Sequence, residues 1–359
     1  MKQWLLLITL LVCCAHLNAQ RGDFTVTGKV IDQSTQQPLA GASVFCQNTT
    51  IGVVSNGEGN FTLRLPPGGY DLIVSYTGYE TFVQRINSDQ ATTPLTIEMK
   101  KQEKVMEEVA VVASNEVADG WAKYGNFFLE NFIGITPNAA SCKIENTDSL
   151  HFYFSKKRNR LKILTPSELR IVNNALGYRI RYQLDSFVHE YNDRISTFSG
   201  YPLFEEMDGT DSQKLAWNIN RVKAYNGSRM HFMRSWYDSS LAKQGFAIER
   251  IKDSASMDGI LIENPFDSSF YHADSSDVEI TLSGRFRIVY RSELPDPKYL
   301  SLNKFSPYSK VQISVIDVFD TFIIERNGYF YEQSDILNSG YWSWEKLADA
   351  LPYNYIPGH

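Results

Sequence analysis

Cysteine and histidine are scarce in this chain, with 4 and 6 respectively among 359 residues. Cys13 and Cys14 fall in a leading apolar run, which leaves Cys46 and Cys142. Two lone thiols in different segments prescribe no disulfide framework. The histidines beyond the leader (His151, His189, His231, His272 and His359) are scattered, and none stands in a His-x-x-Glu or His-Glu-x-x-His spacing. Zinc peptidase chemistry therefore has no ligand set here. A Gly-x-Ser-x-Gly elbow, a P-loop and a dinucleotide fingerprint are equally absent. Basic charge is not in excess: Lys+Arg 35 against Asp+Glu 41 gives a net charge of -6, which argues against a nucleic-acid partner. Past Ala19 there is no long apolar stretch to cross a membrane as a helix. No repeat of solenoid period occurs.

What is present begins with a leader. Lys2 precedes an apolar run from Trp4 to Cys14, and Leu17-Asn18-Ala19 offers a small residue for cleavage before Gln20. Residues 1–19 read as a signal peptide, so the protein is expected to be exported, to the periplasm or the outer membrane. A retained anchor and a lipidated Cys14 are the alternatives. Cys13 stands where a lipoprotein signal wants a small residue.

Residues 20–100 read as an all-β sandwich. Phe24, Val26, Gly28 and Val30 alternate with Thr25, Thr27 and Lys29, as a half-buried strand requires. Turns at Asn56-Gly57-Glu58-Gly59 and Pro66-Pro67-Gly68-Gly69 separate further strands at 61–65, 70–76, 81–86 and 95–99. About seven strands make a sandwich. The spaced residues Val26, Gly28, Val30 and Asp32, then Pro38, Gly41 and Val44, then Gly59 and Phe61, then Gly69, Tyr70, Tyr76, Gly78 and Tyr79, resemble the carboxypeptidase-regulatory-like (transthyretin-like) domain. The resemblance implies an accessory, non-catalytic sandwich. Such domains accompany exported proteins and the N-termini of TonB-dependent outer-membrane transporters.

Residues 101–118 read as a charged linker with an extra strand. Glu107 and Glu108 followed by Val109 and Val111 resemble the segment that meets TonB by strand addition in those transporters. The remaining chain is too short for a large transporter barrel.

Residues 119–359 read as an α+β domain with an antiparallel sheet and an αα-hairpin over 211–243. Trp121, Tyr124, Phe128 and Phe132 make a helical stripe. Tyr178 to Leu184 alternates as a strand and continues through 187–191. Thr210 and Gln213 form a capping-box pattern, followed by a stripe of Leu215, Ile219 and Val222. A second helix carries Met230, Met233, Tyr237 and Leu241. Asn327-Gly328 between apolar runs predicts a hairpin. Ser343 predicts a last helix bearing Trp344, Leu347, Ala348 and Leu351. Asn174 to Leu184 and Gly340 to Tyr353 resemble parts of exported proteins that carry the same regulatory-like domain.

No catalytic, metal or cofactor residues emerge. Glu205 and Glu206 are adjacent on a strand and point to opposite faces. The aspartates from 253 to 277 lack the order of a calcium loop. The candidate partner-binding residues are Glu107, Glu108, Val109 and Val111, and the basic Arg221, Arg229 and Arg234 on the helical pair. The expected function is that of a non-enzymatic cell-envelope module binding another envelope protein or a glycan, peripheral to the outer membrane. The alternatives are a TonB-linked transport component and a hydrolase with sequence-distant residues.

Overall fold

The computed structural model describes residues 22–87, 93–102, 115–252, 258–274 and 276–358. The leader (1–19) and the segment holding Glu107, Glu108, Val109 and Val111 lie outside these residues.

The first module is a sandwich of seven strands: β1 (Phe24–Asp32), β2 (Ser43–Cys46), β3 (Gly52–Val54), β4 (Asn60–Leu65), β5 (Tyr70–Ser75), β6 (Phe82–Ile86) and β7 (Leu95–Met99). One sheet has the order β4-β1-β7 and the other β3-β2-β5-β6. Phe61, Leu63 and Leu65 of β4 point inward while Asn60, Thr62 and Arg64 face water, as period-2 alternation dictates. They meet Val26 and Val30 from β1, and Val44, Leu72 and Val74 from the facing sheet. Gly28 is required by close packing: a Cβ there would stand 2.6 Å from the Leu95 carbonyl oxygen and 2.7 Å from the Phe61 ring. Asp32 and Tyr79, from opposite ends of the motif, are joined by a 2.6 Å hydrogen bond from the phenol to the carboxylate. That bond and the amides of Ser34 and Thr35 hold the Asp32 carboxyl well below the usual carboxylate range.

The outer face of β2 and β5 is not solvated. Phe45 and Ile73 are buried against Leu203 and Tyr201 of the next module. The unbroken run Leu72-Ile73-Val74 is the sequence trace of burial on both faces.

The chain beyond the sandwich builds two cores. Around the first lie α1 (Gly120–Phe132), β8 (Cys142–Ile144), β9 (His151–Ser155), β10 (Arg160–Leu164), β11 (Leu169–Asn173), β12 (Tyr178–Glu190) and β13 (Ile195–Glu206). The long strand β12 organises the sheet. Its first half pairs β11, its second half pairs β10, and β13 runs along its whole length with a bulge between Leu184 and Ser186. Phe128 and Phe132 of α1 stack on each other and pack edge-on against Phe187 and Tyr182, so the expected aromatic stripe is a core stripe.

Around the second core lie β14 (Phe246–Ile251), β15 (Gly259–Leu261), β16 (Tyr271–Ala273), β17 (Asp277–Ile280), β18 (Gly284–Tyr290), β19 (Gln312–Val318), β20 (Phe322–Glu325) and β21 (Ile336–Gly340). They form an antiparallel sheet β15-β14-β18-β19-β21 and a smaller sheet β16-β17-β20. Helices α2 (Asp211–Tyr225) and α3 (Arg229–Tyr237) join the two cores, with Ala224 and Tyr225 in one and Phe232, Met233 and Trp236 in the other. The short helices α4 (Pro297–Leu302) and α5 (Tyr341–Trp344) complete the set. The chain end returns to the first of these cores through Leu347, Ala348, Leu351 and Tyr355.

Two sequence expectations need correction. The capping box at Thr210 forms, but the buried face of α2 is Trp217, Ala224 and Tyr225, while Leu215 and Ile219 are each 62% exposed. Trp217 wins because its indole N–H bonds the Asn174 carbonyl at 2.9 Å and its ring packs flush on Gly177 and Gly209, where a Cβ would stand within 2.4 Å. The expected last helix is one turn, α5, followed by a 3-10 turn over Leu347–Asp349. Ser343 is inside that turn, its hydroxyl donating to the Gly340 carbonyl, so it is no cap. The apolar spacing is real, since Trp344, Leu347, Ala348 and Leu351 are all buried.

Candidate functional site

The three modules leave a cleft of about 620 Å³ where they meet. The sandwich contributes Gln47 and Asn48, from the turn after β2. The central sheet contributes Tyr182, Ser196, Thr197 and Phe198, and the last module contributes Arg229, Gln333, Asn338 and Trp342. The returning chain end supplies Glu345, Lys346 and Asp349. Amides, hydroxyls and aromatic rings therefore dominate, with two acids and two cations among them.

The cleft exists because the modules are clamped together. Tyr353 donates its backbone N–H to the Asn48 carbonyl at 2.6 Å. The Asn354 side chain bonds both the hydroxyl and the amide of Thr50. Asn327, in the predicted Asn-Gly turn, donates to the Gly69 carbonyl at 3.0 Å, and the Tyr329 phenol donates to Asp71 at 3.0 Å. The Arg85 guanidinium pairs with Glu332 and lies 4.3 Å over the Tyr331 ring.

The two carboxyls have unlike surroundings. Asp349 accepts from the Thr136 hydroxyl and the Asn138 amide, both at 2.8 Å. Burial outweighs those bonds and pushes its carboxyl up to about 6. Glu345 makes no side-chain hydrogen bond or ion pair among the described residues, and it borders the cleft. Burial and the nearby carboxyls of Asp349 and Glu293 push it well above the usual carboxylate range. Neither residue belongs to a motif, and their only sequence signal is the four-residue spacing. Their environment comes from the returning chain end.

A serine–histidine contact also lies at the cleft wall. Ser196 Oγ is 2.9 Å from His189 Nδ1 and 3.0 Å from Asn131 Oδ1. Asn131 is oriented by its own amide, which donates to the Phe127 carbonyl at 2.9 Å. The serine proton therefore goes to Asn131, and His189 Nδ1 donates to Ser196. A histidine in that tautomer does not withdraw the hydroxyl proton, as an activated nucleophile needs.

The basic residues of the helical pair do not form one face. Arg221 is held by the carbonyls of Leu176 and Gly177, by Glu206, and over the Tyr178 ring at 3.9 Å. Arg234 clamps three carbonyls, those of Asn327, Tyr353 and Tyr355, each at 2.9 Å. Arg229 alone of the three borders the cleft, where it donates to Asn338 Oδ1 at 3.2 Å. A row of cations reads as an outer face only if the helix is on the surface. Here α3 is packed on several sides, and its cations serve the chain itself. Cys46 and Cys142 are both free thiols, and burial pushes Cys142 up to about 12. No cluster of three or more metal-ligating side chains occurs among the described residues. No helix among them is long and apolar enough to cross a membrane.

Comparison with known proteins places the sandwich. Residues 26–111 match the CarboxypepD_reg-like domain. The matched span runs from Val26 within β1 through β7, holds the Asp32–Tyr79 bond, and continues into the segment of Glu107 to Val111. Over 101 residues the chain is 31% identical to TonB-dependent receptor P39 of Formosa agariphila, covering 28% of this chain and 9% of that protein. The chain thus spans about a tenth of the length of that curated relative. Among solved structures, the group B streptococcus pilus 2b backbone protein is 23% identical, covering 23% of this chain and 43% of its own, with a TM-score of 0.20. Catechol 1,2-dioxygenase from Pseudomonas arvilla C-1 is 12% identical, covering 25% of this chain and 56% of its own, also at 0.20. Overlap of that extent carries no functional argument.

Proposed function

We propose that this is an exported, non-enzymatic protein of the cell envelope. In this reading the CarboxypepD_reg-like sandwich braces a two-core module, and the cleft between them is the binding surface. The observation that carries the reading is the cleft itself: it is open, its lining mixes amides and hydroxyls with about as much apolar surface, and its serine–histidine contact is polarised away from nucleophilic catalysis. The match to a TonB-dependent receptor supports the envelope. Cell fractionation with crosslinking and mass spectrometry tests it, the expected result being an envelope neighbour crosslinked near the cleft. Recovery in the cytosolic fraction, or turnover of peptide, ester or glycan substrates by the purified protein, overturns it.

A second reading follows from the same relative. In it, residues 107–113 pair with TonB by strand addition, making the protein a component of outer-membrane transport. Deleting them and measuring TonB co-purification decides the matter, and unchanged recovery removes the idea.

A further inference from the structure

Three exposed apolar side chains of the last module fall in one short stretch. Leu302 is 58% exposed, Phe305 53% and Tyr308 86%. Scattered single apolar groups on a surface are ordinary, whereas a contiguous group of them marks an interaction site. The stretch is an ordered loop. Tyr299 and Leu300 of α4 are buried with Tyr341 and Trp344. The Tyr299 ring stands 4.9 Å from that of Tyr341 and 5.7 Å from that of Trp344. The Asp296 carboxylate caps α4 by accepting from the Lys298 N–H at 2.7 Å, and the Asp296 N–H donates to the Tyr341 phenol oxygen at 3.1 Å. Beyond α4 the chain turns back with Lys304 at φ +56°, and the Phe305 N–H reaches the Leu300 carbonyl at 2.9 Å. That sets the Phe305 ring 5.7 Å from the Tyr299 ring. Leu302 is three residues beyond Tyr299 on the same helix, so both flank the Tyr299 position. A second turn follows, closed by the Ser309 N–H on the Ser306 carbonyl at 3.1 Å, with Pro307 and Tyr308 at its tip.

The charge of this stretch is opposite to that of the chain. Residues 297–311 hold Lys298, Lys304 and Lys310 and no acid, in a chain of net charge -6. Lys298 Nζ donates to the Ile135 carbonyl at 2.9 Å. Lys304 and Lys310 are exposed and make no ion pair among the described residues. Apolar groups flanked by lysines suit the boundary layer of a bilayer. The rings and aliphatic chains enter between headgroups, while the lysine stems lie along the apolar surface and their ammoniums reach anionic phosphates. Shape favours a bilayer over a protein partner. Neither the cleft nor the hollow beside Tyr299 and Asn303 is lined by Leu302, Phe305 or Tyr308, so these side chains offer no pocket to a partner's anchor residue. A fluid lipid surface takes a projecting tip such as Tyr308 without a matching pocket. We propose that residues 302–310 dock the protein on a bilayer containing anionic phospholipid, with Leu302, Phe305 and Tyr308 between the headgroups and Lys304 and Lys310 on their phosphates. This deepens the envelope location given above and rests on it. Because the loop is already folded, little loss of chain freedom opposes docking.

Co-sedimentation of the full mature chain with lipid vesicles tests this. The expected result is binding to vesicles of mixed phosphatidylcholine and phosphatidylglycerol that weakens as salt is raised, and much weaker binding to phosphatidylcholine alone. The double variant Phe305→Ser/Tyr308→Ser should weaken binding by roughly tenfold or more. Lys304→Glu/Lys310→Glu should weaken it by roughly tenfold or more and remove the preference for phosphatidylglycerol. Leu215→Ser/Ile219→Ser, which alters exposed side chains on α2, should bind as the unaltered protein does. If Phe305→Ser/Tyr308→Ser fails to fold, judged by its melting curve, Tyr308→Ser alone and the comparison of the two lipid compositions still decide the question. Absence of binding to the mixed vesicles, equal binding to both compositions, or binding that every variant retains overturns the proposal. So does a dimer in place of vesicle binding that Phe305→Ser/Tyr308→Ser dissolves, since a second copy of the chain then covers the loop. Failure on vesicles leaves the envelope reading in place when the protein fractionates with the envelope, whereas recovery in the cytosol removes that reading whatever the vesicles show.

Discussion

The side-chain amide of Asn327 donates to the backbone carbonyl of Gly69 at 3.0 Å, joining two turns that are 258 positions apart. The contact is possible because Gly69 has no side chain. A Cβ there would stand 2.7 Å from Glu325 Cγ and 2.7 Å from the Tyr331 hydroxyl. Gly68 is alike: with φ at +150°, its Cβ would stand 2.7 Å from the Asn327 side chain. The Pro-Pro-Gly-Gly turn thus serves two purposes, reversing the sandwich chain and seating the last module.

Gly69→Ala should therefore destabilise the protein by about 1–3 kcal/mol, as overpacking of a close contact does. Gly57→Ala is the control, since nothing lies within 4 Å of its Cβ position. Calorimetric melting of the two full-length variants checks this. Equal Tm values for both would show that the docked turn has room to spare.

His231 should make the fold sensitive to acid. Its Nδ1 accepts from the Gly227 N–H at 3.1 Å, so the ring proton sits on Nε2, 3.2 Å from Gln244 Oε1. Burial lowers it to about 4, from 6.5 in the unfolded chain. With a lowered folded-state pKa, the unfolded chain binds the proton first. This contribution is complete above pH 6.5 and is lost as pH falls towards 4. In His231→Gln the stability difference from the unaltered protein should shrink on acidification across that window, as followed by urea unfolding at several pH values.

Asp349 should act in the opposite sense. Its folded-state value of about 6 is above the ordinary 3.8, so the folded state holds the proton longer. Stability from this group is complete below pH 3.8 and is lost as pH rises through 6. Asp349→Asn removes that titration, together with one of the two bonds from Thr136 and Asn138. Its deficit should be largest near pH 4 and should narrow by pH 7. The two windows overlap and nearly cancel in the unaltered protein, so each variant must be compared with it at every pH. A deficit for Asp349→Asn that widens with pH would contradict the assignment.

The buried face of α2 is testable directly. Trp217→Ala should cost about 3–5 kcal/mol. Leu215→Lys and Ile219→Lys, at exposed positions, should change stability by under about 0.5 kcal/mol. Denaturant midpoints for the three variants suffice. A large loss for Ile219→Lys would restore the aliphatic stripe that periodicity predicts.

The aliphatic stripe failed for an instructive reason. Leu215, Ile219 and Val222 have the spacing of a core face, and so do Trp217, Ala224 and Tyr225 when the indole is given its partner. Periodicity cannot rank two faces of one helix. The Asn174 carbonyl and the bare surface of Gly177 do so, and both come from another part of the chain. The basic helical pair shows the same limit. Arg221 and Arg234 are indistinguishable from solvated cations until the carbonyls of Leu176, Gly177, Asn327, Tyr353 and Tyr355 are placed around them. The candidate site was the least legible part. Glu345 and Asp349 look like surface acids of a terminal helix. They owe their altered acidity to a chain end that folds back against a distant core.

Local pattern was enough to set the strands, their turns and the first sandwich, because alternation and Gly-rich turns act over short or regularly spaced distances, whereas the Asp32–Tyr79 bond spans 47 positions and is visible only in the fold. Only long-range packing set the two cores of the remaining chain, the docking of the sandwich on one face, and the cleft that opens between them. Those outcomes depend on desolvation, and desolvation is set by neighbours that arrive from more than a hundred residues away.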